Sequence, residues 1–146
     1  MIIAVDFDCC IAHYKKWKGI DVFGGLIVGA KEALIELKNQ GHRIIIYTCR
    51  KPTLKLQNYL KINGIPFDAI NENPWTWLED NNPNIKRKIS ADIYIDDKAL
   101  TFKGDWNKTL EEVLNFKSWQ VKNDLIEKNS EKAKNFIINN QHKKEE

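Results

Sequence analysis

The apolar residues of this chain fall into two periods. Short runs rich in β-branched residues occupy Ile2–Val5, Arg43–Tyr47 and Ala91–Ile95. The first is too short for a helix and has no polar face, so it reads as a strand buried on both sides, as inside a parallel sheet. Between the runs the period changes. Ala30, Ala33, Leu34 and Leu37 share one face of a helix over 30–38, and Asn39-Gln40-Gly41 ends it with Gly41 suited to a left-handed cap. A second helix is expected over 52–62, with Pro52 in its first turn and Asn63-Gly64 at its end. Residues 65–70 contain Pro66 and read as an extended piece at a sheet edge. A third helix is expected from Thr109 to Phe116. Strand, helix, strand in this order implies right-handed crossovers and parallel pairing. The expected fold is α/β, a three-layer Rossmann-like arrangement around a central parallel sheet.

The connecting segments differ in character. Residues 9–28 carry Gly19, Gly24 and Gly25 and a basic, aromatic stretch from His13 to Lys18, which reads as a loop or flap. Residues 71–84 contain two prolines, Trp75 and Trp77, and read as an ordered surface loop whose tryptophans form a lid on the domain. Beyond Lys117 the chain alternates Lys with Glu. Trp119, Leu125, Ile126, Ala133, Phe136 and Ile137 recur there at helical spacing, so a long terminal helix is expected, frayed from about Gln141. It packs back on the domain or pairs with a second copy as a homo-oligomer. The expected division is a domain over 1–116 and a helical extension over 117–146.

Composition narrows the class only slightly. A chain of 146 residues, 42% hydrophobic and 29% charged, is long enough for one substantial core. A net charge of +3 suits an anionic substrate but is too small to argue nucleic-acid binding by itself. No apolar run approaches the roughly 20 residues of a membrane span. The first residues lack the basic start of a secretory signal, so a soluble, cytoplasmic protein is expected. Cys9, Cys10 and Cys49 form no disulfide framework and no CxxC spacing, so buried reduced thiols are expected.

The chemistry lies where the strands stop. Asp6 and Asp8 follow the first run, Thr48 the second, and Asp96 and Asp97 the last. In extended chain, residues i and i+2 point to the same side, so Asp6 and Asp8 can converge. In open parallel sheets ligands bind beyond the carboxyl ends of the strands, which gathers four acids and a hydroxyl at one rim. Carboxylates this close repel one another, and a hard divalent cation with oxygen ligands, Mg²⁺, relieves the repulsion and completes its shell with substrate phosphate. Asp6 can then attack phosphorus, and Asp8 can protonate the leaving oxygen and deprotonate water. Thr48 and Lys88 can hold the phosphoryl oxygens.

These residues resemble, in order, the four motifs of the haloacid dehalogenase superfamily: Ile2-Ile-Ala-Val-Asp6-Phe-Asp8, Ile44-Ile-Ile-Tyr-Thr48, Lys88, and Ile93-Tyr-Ile-Asp96-Asp97. The similarity spans most of residues 1–106. The short segment after the first motif resembles the small capless members, some of them Mg²⁺-dependent phosphatases. Asn63 to Asn73 is similar to a stretch in small bacterial and phage-type members. The resemblance implies no substantial cap domain. It makes Asp6 the nucleophile and Asp8 the general acid/base, whose carbonyl is a metal ligand. Thr48 becomes the phosphate binder, Lys88 the charge-stabilising lysine with Lys86 as runner-up, and Asp96 with Asp97 the metal-side acids. Arg50 is expected as an additional phosphate or leaving-group contact.

One departure stands out. Where the family usually has Gly-Thr after the second acid, this chain has Cys9-Cys10. The expected function is therefore a Mg²⁺-dependent phosphohydrolase acting through an aspartyl-phosphate, on a phosphorylated small molecule, nucleotide or nucleic-acid end. The alternative is a degenerate relative that binds without turnover. A response-regulator receiver domain also joins acids, Thr and Lys at a sheet rim, but its acid pair comes first and its nucleophile later, the reverse of this order.

Overall fold

The structure, a computed structural model, describes residues 1–75 and 88–119. Four strands form one all-parallel sheet: β1 (Ile2–Val5), β2 (Arg43–Ile46), β3 (Ala69–Ile70) and β4 (Ile93–Ile95), in the order β3-β2-β1-β4. The described residues also form three helices, α1 (Ala30–Asn39), α2 (Leu54–Ile62) and α3 (Trp106–Leu114). The fold is thus the expected α/β, Rossmann-like class with a central parallel sheet, and residues 65–70 do supply an edge strand.

Alternation along the strands explains the layers. Ile3 and Val5 of β1 and Ile44 and Ile46 of β2 face Leu34 of α1 and Leu56 and Leu60 of α2. Ile45 points the other way, against Ala69 and Ile89, with Tyr47 and Trp75 packed at its margin. β1 sits between two neighbours and is buried on both sides, as its unbroken apolar run requires. Phe7, just beyond β1, is fully buried and meets the rings of Phe23 and Tyr59 edge-on at 5.7 and 5.5 Å.

Helix boundaries depart from the expected ones for local reasons. α2 starts two residues later than Pro52, because Thr53 is its cap: the Thr53 hydroxyl oxygen accepts the Leu56 N–H at 3.2 Å. The same hydroxyl donates to Asp21 at 2.7 Å, tying the flap to α2. α3 begins three residues before Thr109, since the Asp105 carboxylate accepts the N–H groups of Asn107 and Lys108. On α1, Leu34 is buried and Leu37 half-buried, whereas Ala33 is exposed. Gly41 takes the expected left-handed conformation, with φ of 81°.

The chain forms two compact units, Met1–Asp97 and the part from Lys98 on. The expected terminal helix beyond Trp119 and its oligomeric contact, together with Trp77 and Lys86, lie outside the described residues. No helix among the described residues is long and apolar enough to cross a membrane. Residues 9–29 contain no helix and only isolated bridges, Asp8 to Ala12 and Ala12 to Leu26, so the flap is a loop folded on the domain rather than a cap.

One glycine holds that loop in place. A Cβ at Gly24 would lie 1.9 Å from the carbonyl oxygen of His13, whereas one at Gly25 meets nothing within 4 Å. The Gly24 carbonyl also accepts from the Tyr59 hydroxyl at 2.8 Å. Gly24→Ala is expected to cost about 1–3 kcal/mol by forcing the two flap limbs apart, while Gly25→Ala stays within about 1 kcal/mol. Urea unfolding of both variants checks this, and equal midpoints would contradict it.

Candidate active site

The rim is built by backbone pairing that continues past the strands. The Asp6 N–H donates to the Ile95 carbonyl at 2.8 Å, and the Tyr47 N–H donates to the Val5 carbonyl at 2.8 Å. Asp6 is thereby locked between the ends of β2 and β4. One oxygen each of Asp6 and Asp97 and the Cys10 sulfur all lie within 4.8 Å of one another. The sequence reading paired Asp6 with Asp8, Asp96 and Asp97 as metal-side acids. The structure brings Asp6 and Asp97 together and adds Cys10, a residue that reading left without a role at the cation.

Charge crowding shows in the protonation of this group. Burial, then the neighbouring Asp96, Asp8 and Asp97, push the Asp6 carboxyl up from 3.8 to about 6, although the Phe7 N–H opposes this by donating to it at 2.7 Å. Burial and the charges of Asp6, Asp97 and Asp96 push the Cys10 thiol up to about 12. Cys10 is therefore a neutral thiol at pH 7, which removes it as a thiolate nucleophile. Its neighbour Cys9 is buried, with φ of 71°, and its thiol donates to the Tyr14 carbonyl at 3.7 Å. A left-handed backbone with a side chain costs on the order of 1–2 kcal/mol. This is the position where glycine would be relaxed.

Asp8 points elsewhere. Arg50 forks onto it, Nε to one carboxylate oxygen at 2.8 Å and Nη2 to the other at 2.9 Å. The guanidinium also donates to the Ile20 carbonyl at 3.3 Å, and it sits 5.2–5.8 Å from the ring centroids of Phe7, Tyr14, Trp17 and Phe23. Arg50 is 5% exposed. Its expected role is a phosphate or leaving-group contact; here its donors serve Asp8 and the flap, and it orients the second acid.

Thr48 follows β2 and is buried. Its hydroxyl oxygen accepts the Arg50 N–H at 3.2 Å, which leaves the hydroxyl proton for another acceptor. Asn71 holds this turn. Its side-chain oxygen accepts the Thr48 N–H at 2.8 Å, and its amide donates to the carbonyls of Thr48 at 2.7 Å and Arg50 at 3.2 Å. Asn71 itself is left-handed, with φ of 56°. Sequence reasoning missed it. The signal was there, an asparagine directly after an extended run, where its short amide tolerates that conformation. Lys88 is exposed, and its ammonium lies 4.5 Å from the Tyr94 ring centroid. Among the described residues it touches no carboxylate, so it is not gathered with Asp6 and Asp97.

Fold and site together define an open parallel-sheet α/β protein with an acidic cluster at its carboxyl rim. No protein-family model and no curated protein matches this chain. It is similar to a solved structure of a conserved protein coded by a locus of Bacteroides thetaiotaomicron, at 28% identity and a TM-score of 0.54, over 82% of this chain and 94% of that one.

The raised Asp6 makes the folded protein pH-sensitive without metal. Between pH 3.8 and about 6 the folded state binds more protons than the unfolded state. Stability from this group is therefore fully present below pH 3.8 and is lost as pH rises through 6. The loss is at most about 3 kcal/mol, and less because the carboxyl is partly exposed and screened. Denaturation in metal-free buffer from pH 4.5 to 8 should show a steeper decline for the wild type than for Asp6→Asn. Parallel curves would contradict the burial of Asp6 beside other acids.

Proposed function

We propose that this protein is a Mg²⁺-dependent phosphomonoesterase of the haloacid dehalogenase type, acting through an aspartyl-phosphate on Asp6. The observation that carries this reading is the meeting of Asp6 and Asp97 at the rim of the sheet, within 4.8 Å of each other and of Cys10. The four-motif resemblance supplies the reaction class.

The donor set fits a hard cation in its oxygens. Two carboxylates, one of them raised to about 6 by burial and by its acidic neighbours, are a pair that a divalent ion relieves. Cys10 is too soft a ligand for Mg²⁺ and, with its proton held, remains a neutral neighbour. Asp6 and Asp97 would hold the ion, with Asp96 beside them. Mg²⁺ supplies charge neutralisation for the phosphoryl oxygens and for the nucleophile that approaches them.

The remaining steps belong to side chains. The Asp6 carboxylate attacks phosphorus and the bond from phosphorus to the leaving oxygen breaks; Asp8 delivers a proton to that oxygen from its protonated form, in which one of its two oxygens is released from Arg50. Asp8, now a carboxylate, takes a proton from the water that attacks the aspartyl-phosphate, which releases phosphate and restores Asp6. The Arg50 fork keeps Asp8 oriented between these steps. Thr48 donates its hydroxyl proton to a phosphoryl oxygen. Lys88 is the lysine the resemblance assigns to phosphoryl charge, and an exposed four-carbon side chain can leave the Tyr94 ring to reach it.

A second reading, a relative that binds phosphorylated ligands without turnover, is favoured by Cys9, whose left-handed backbone departs from the glycine of the resembling motif. A turnover assay with Mg²⁺ and a small aryl phosphate separates the two. The wild type is expected to hydrolyse it, Asp6→Asn to fall to background, and Thr48→Val to lose about 100-fold in kcat. A wild type no faster than Asp6→Asn would end the enzyme reading in favour of the binding one.

A further inference from the structure

Beside the acid cluster, the flap and Arg50 enclose a cavity of about 220 Å³. Its apolar wall is Tyr14, Val22 and Phe23, and Lys15, Lys16 and Lys18 stand around it. These lysines are exposed, while Tyr14 and Phe23 are half-buried. Arg50 closes the inner end, and the guanidinium that lines the cavity is the one that grips Asp8. The cavity therefore lies across one side chain from the group assigned to the leaving oxygen.

Charge and shape specify what enters. No carboxylate lines the cavity. The exposed lysines around the cavity attract an anion, and Tyr14 and Phe23 give it an aromatic wall that suits a planar ring. The volume is below the roughly 300–1,000 Å³ of pockets for drug-sized ligands, so it admits one ring system and little more. An extended anionic chain would remain on the lysine-bearing rim.

We propose that this cavity is the leaving-group subsite of the centre and receives the nucleoside of a nucleoside phosphate, its base beside Tyr14 and Phe23, while Lys15, Lys16 and Lys18 draw the anion in and hold the further phosphates of a longer chain. The assignment rests on the phosphohydrolase reading. It adds the substrate class, which the acid cluster alone leaves open. It also gives the flap a task, because a base seated against Tyr14 rests on a residue that flanks Arg50 and, through Arg50, Asp8.

The test compares the wild type with the Lys15→Ala/Lys16→Ala/Lys18→Ala variant on a nucleoside 5′-monophosphate, a 5′-phosphorylated oligonucleotide and acetyl phosphate, with Mg²⁺ at several salt concentrations. The ratio of kcat/KM for nucleotide over acetyl phosphate is expected to fall about tenfold in the variant, with a flatter salt dependence. A fall on either nucleotide arm supports the subsite, and the arm that falls says whether the ligand is free or at a nucleic-acid end. An unchanged ratio on both arms overturns it while leaving the phosphohydrolase reading standing. If the wild type hydrolyses none of the three, that reading is what has failed. Equilibrium dialysis of the same monophosphate and oligonucleotide then judges the subsite: weaker binding of either by the triple variant supports it, and equal or absent binding of both overturns it.

Discussion

One buried guanidinium holds the working end of this molecule together. Arg50 leaves the turn after β2, forks onto Asp8 beyond β1, and donates to Ile20 of the flap while four aromatic rings surround it. Taking such a cation out of water is costly unless its donors are met, and here a bidentate carboxylate and a carbonyl meet three of them. Removing one partner of a buried pair typically costs about 3–5 kcal/mol, because the other charge is left stranded. The arrangement of Asp8, the turn carrying Thr48 and the flap therefore stands or falls together.

A few ångströms of backbone separate this satisfied pair from an unsatisfied group. Asp6 has only the Phe7 N–H to oppose the burial and acidic neighbours that raise it, and Cys10 is held protonated by the same charges. The sheet enforces the crowding, since Asp6 is pinned by hydrogen bonding to Ile95 and cannot withdraw. One acid paired within the protein and another crowded by its neighbours is the division of labour that the proposed phosphoryl transfer would use. A nucleophile needs its charge countered by something the phosphate shares, whereas a proton carrier needs a fixed orientation.

Much of the fold was legible because it rests on local pattern. β1 and β2 are uninterrupted aliphatic runs, and α1 and α2 carry Leu34, Leu56 and Leu60 on their buried faces. The boundaries were less legible where a side chain overrides the local pattern. Thr53 rather than Pro52 starts α2, and Asp105 starts α3 ahead of its apolar residues. At the site, the order of acids along the strands was visible, but partnership was not. Arg50 reads as an ordinary arginine at the head of a loop until the flap folds over it. Asn71 and Cys10 acquire meaning only when turns distant in sequence meet at one rim. Long-range pairing of this kind has no period, so periodicity cannot announce it.

The central claim is that Asp6 becomes phosphorylated during turnover. Rapid acid quench of the wild-type protein with Mg²⁺ and acetyl phosphate, followed by peptide mass spectrometry, measures this directly. The account predicts one phosphoryl group on the peptide containing residues 1–15, localised to Asp6 and absent from Asp6→Asn. Hydrolysis proceeding with no adduct on Asp6, or an adduct on another residue that survives in Asp6→Asn, would contradict it.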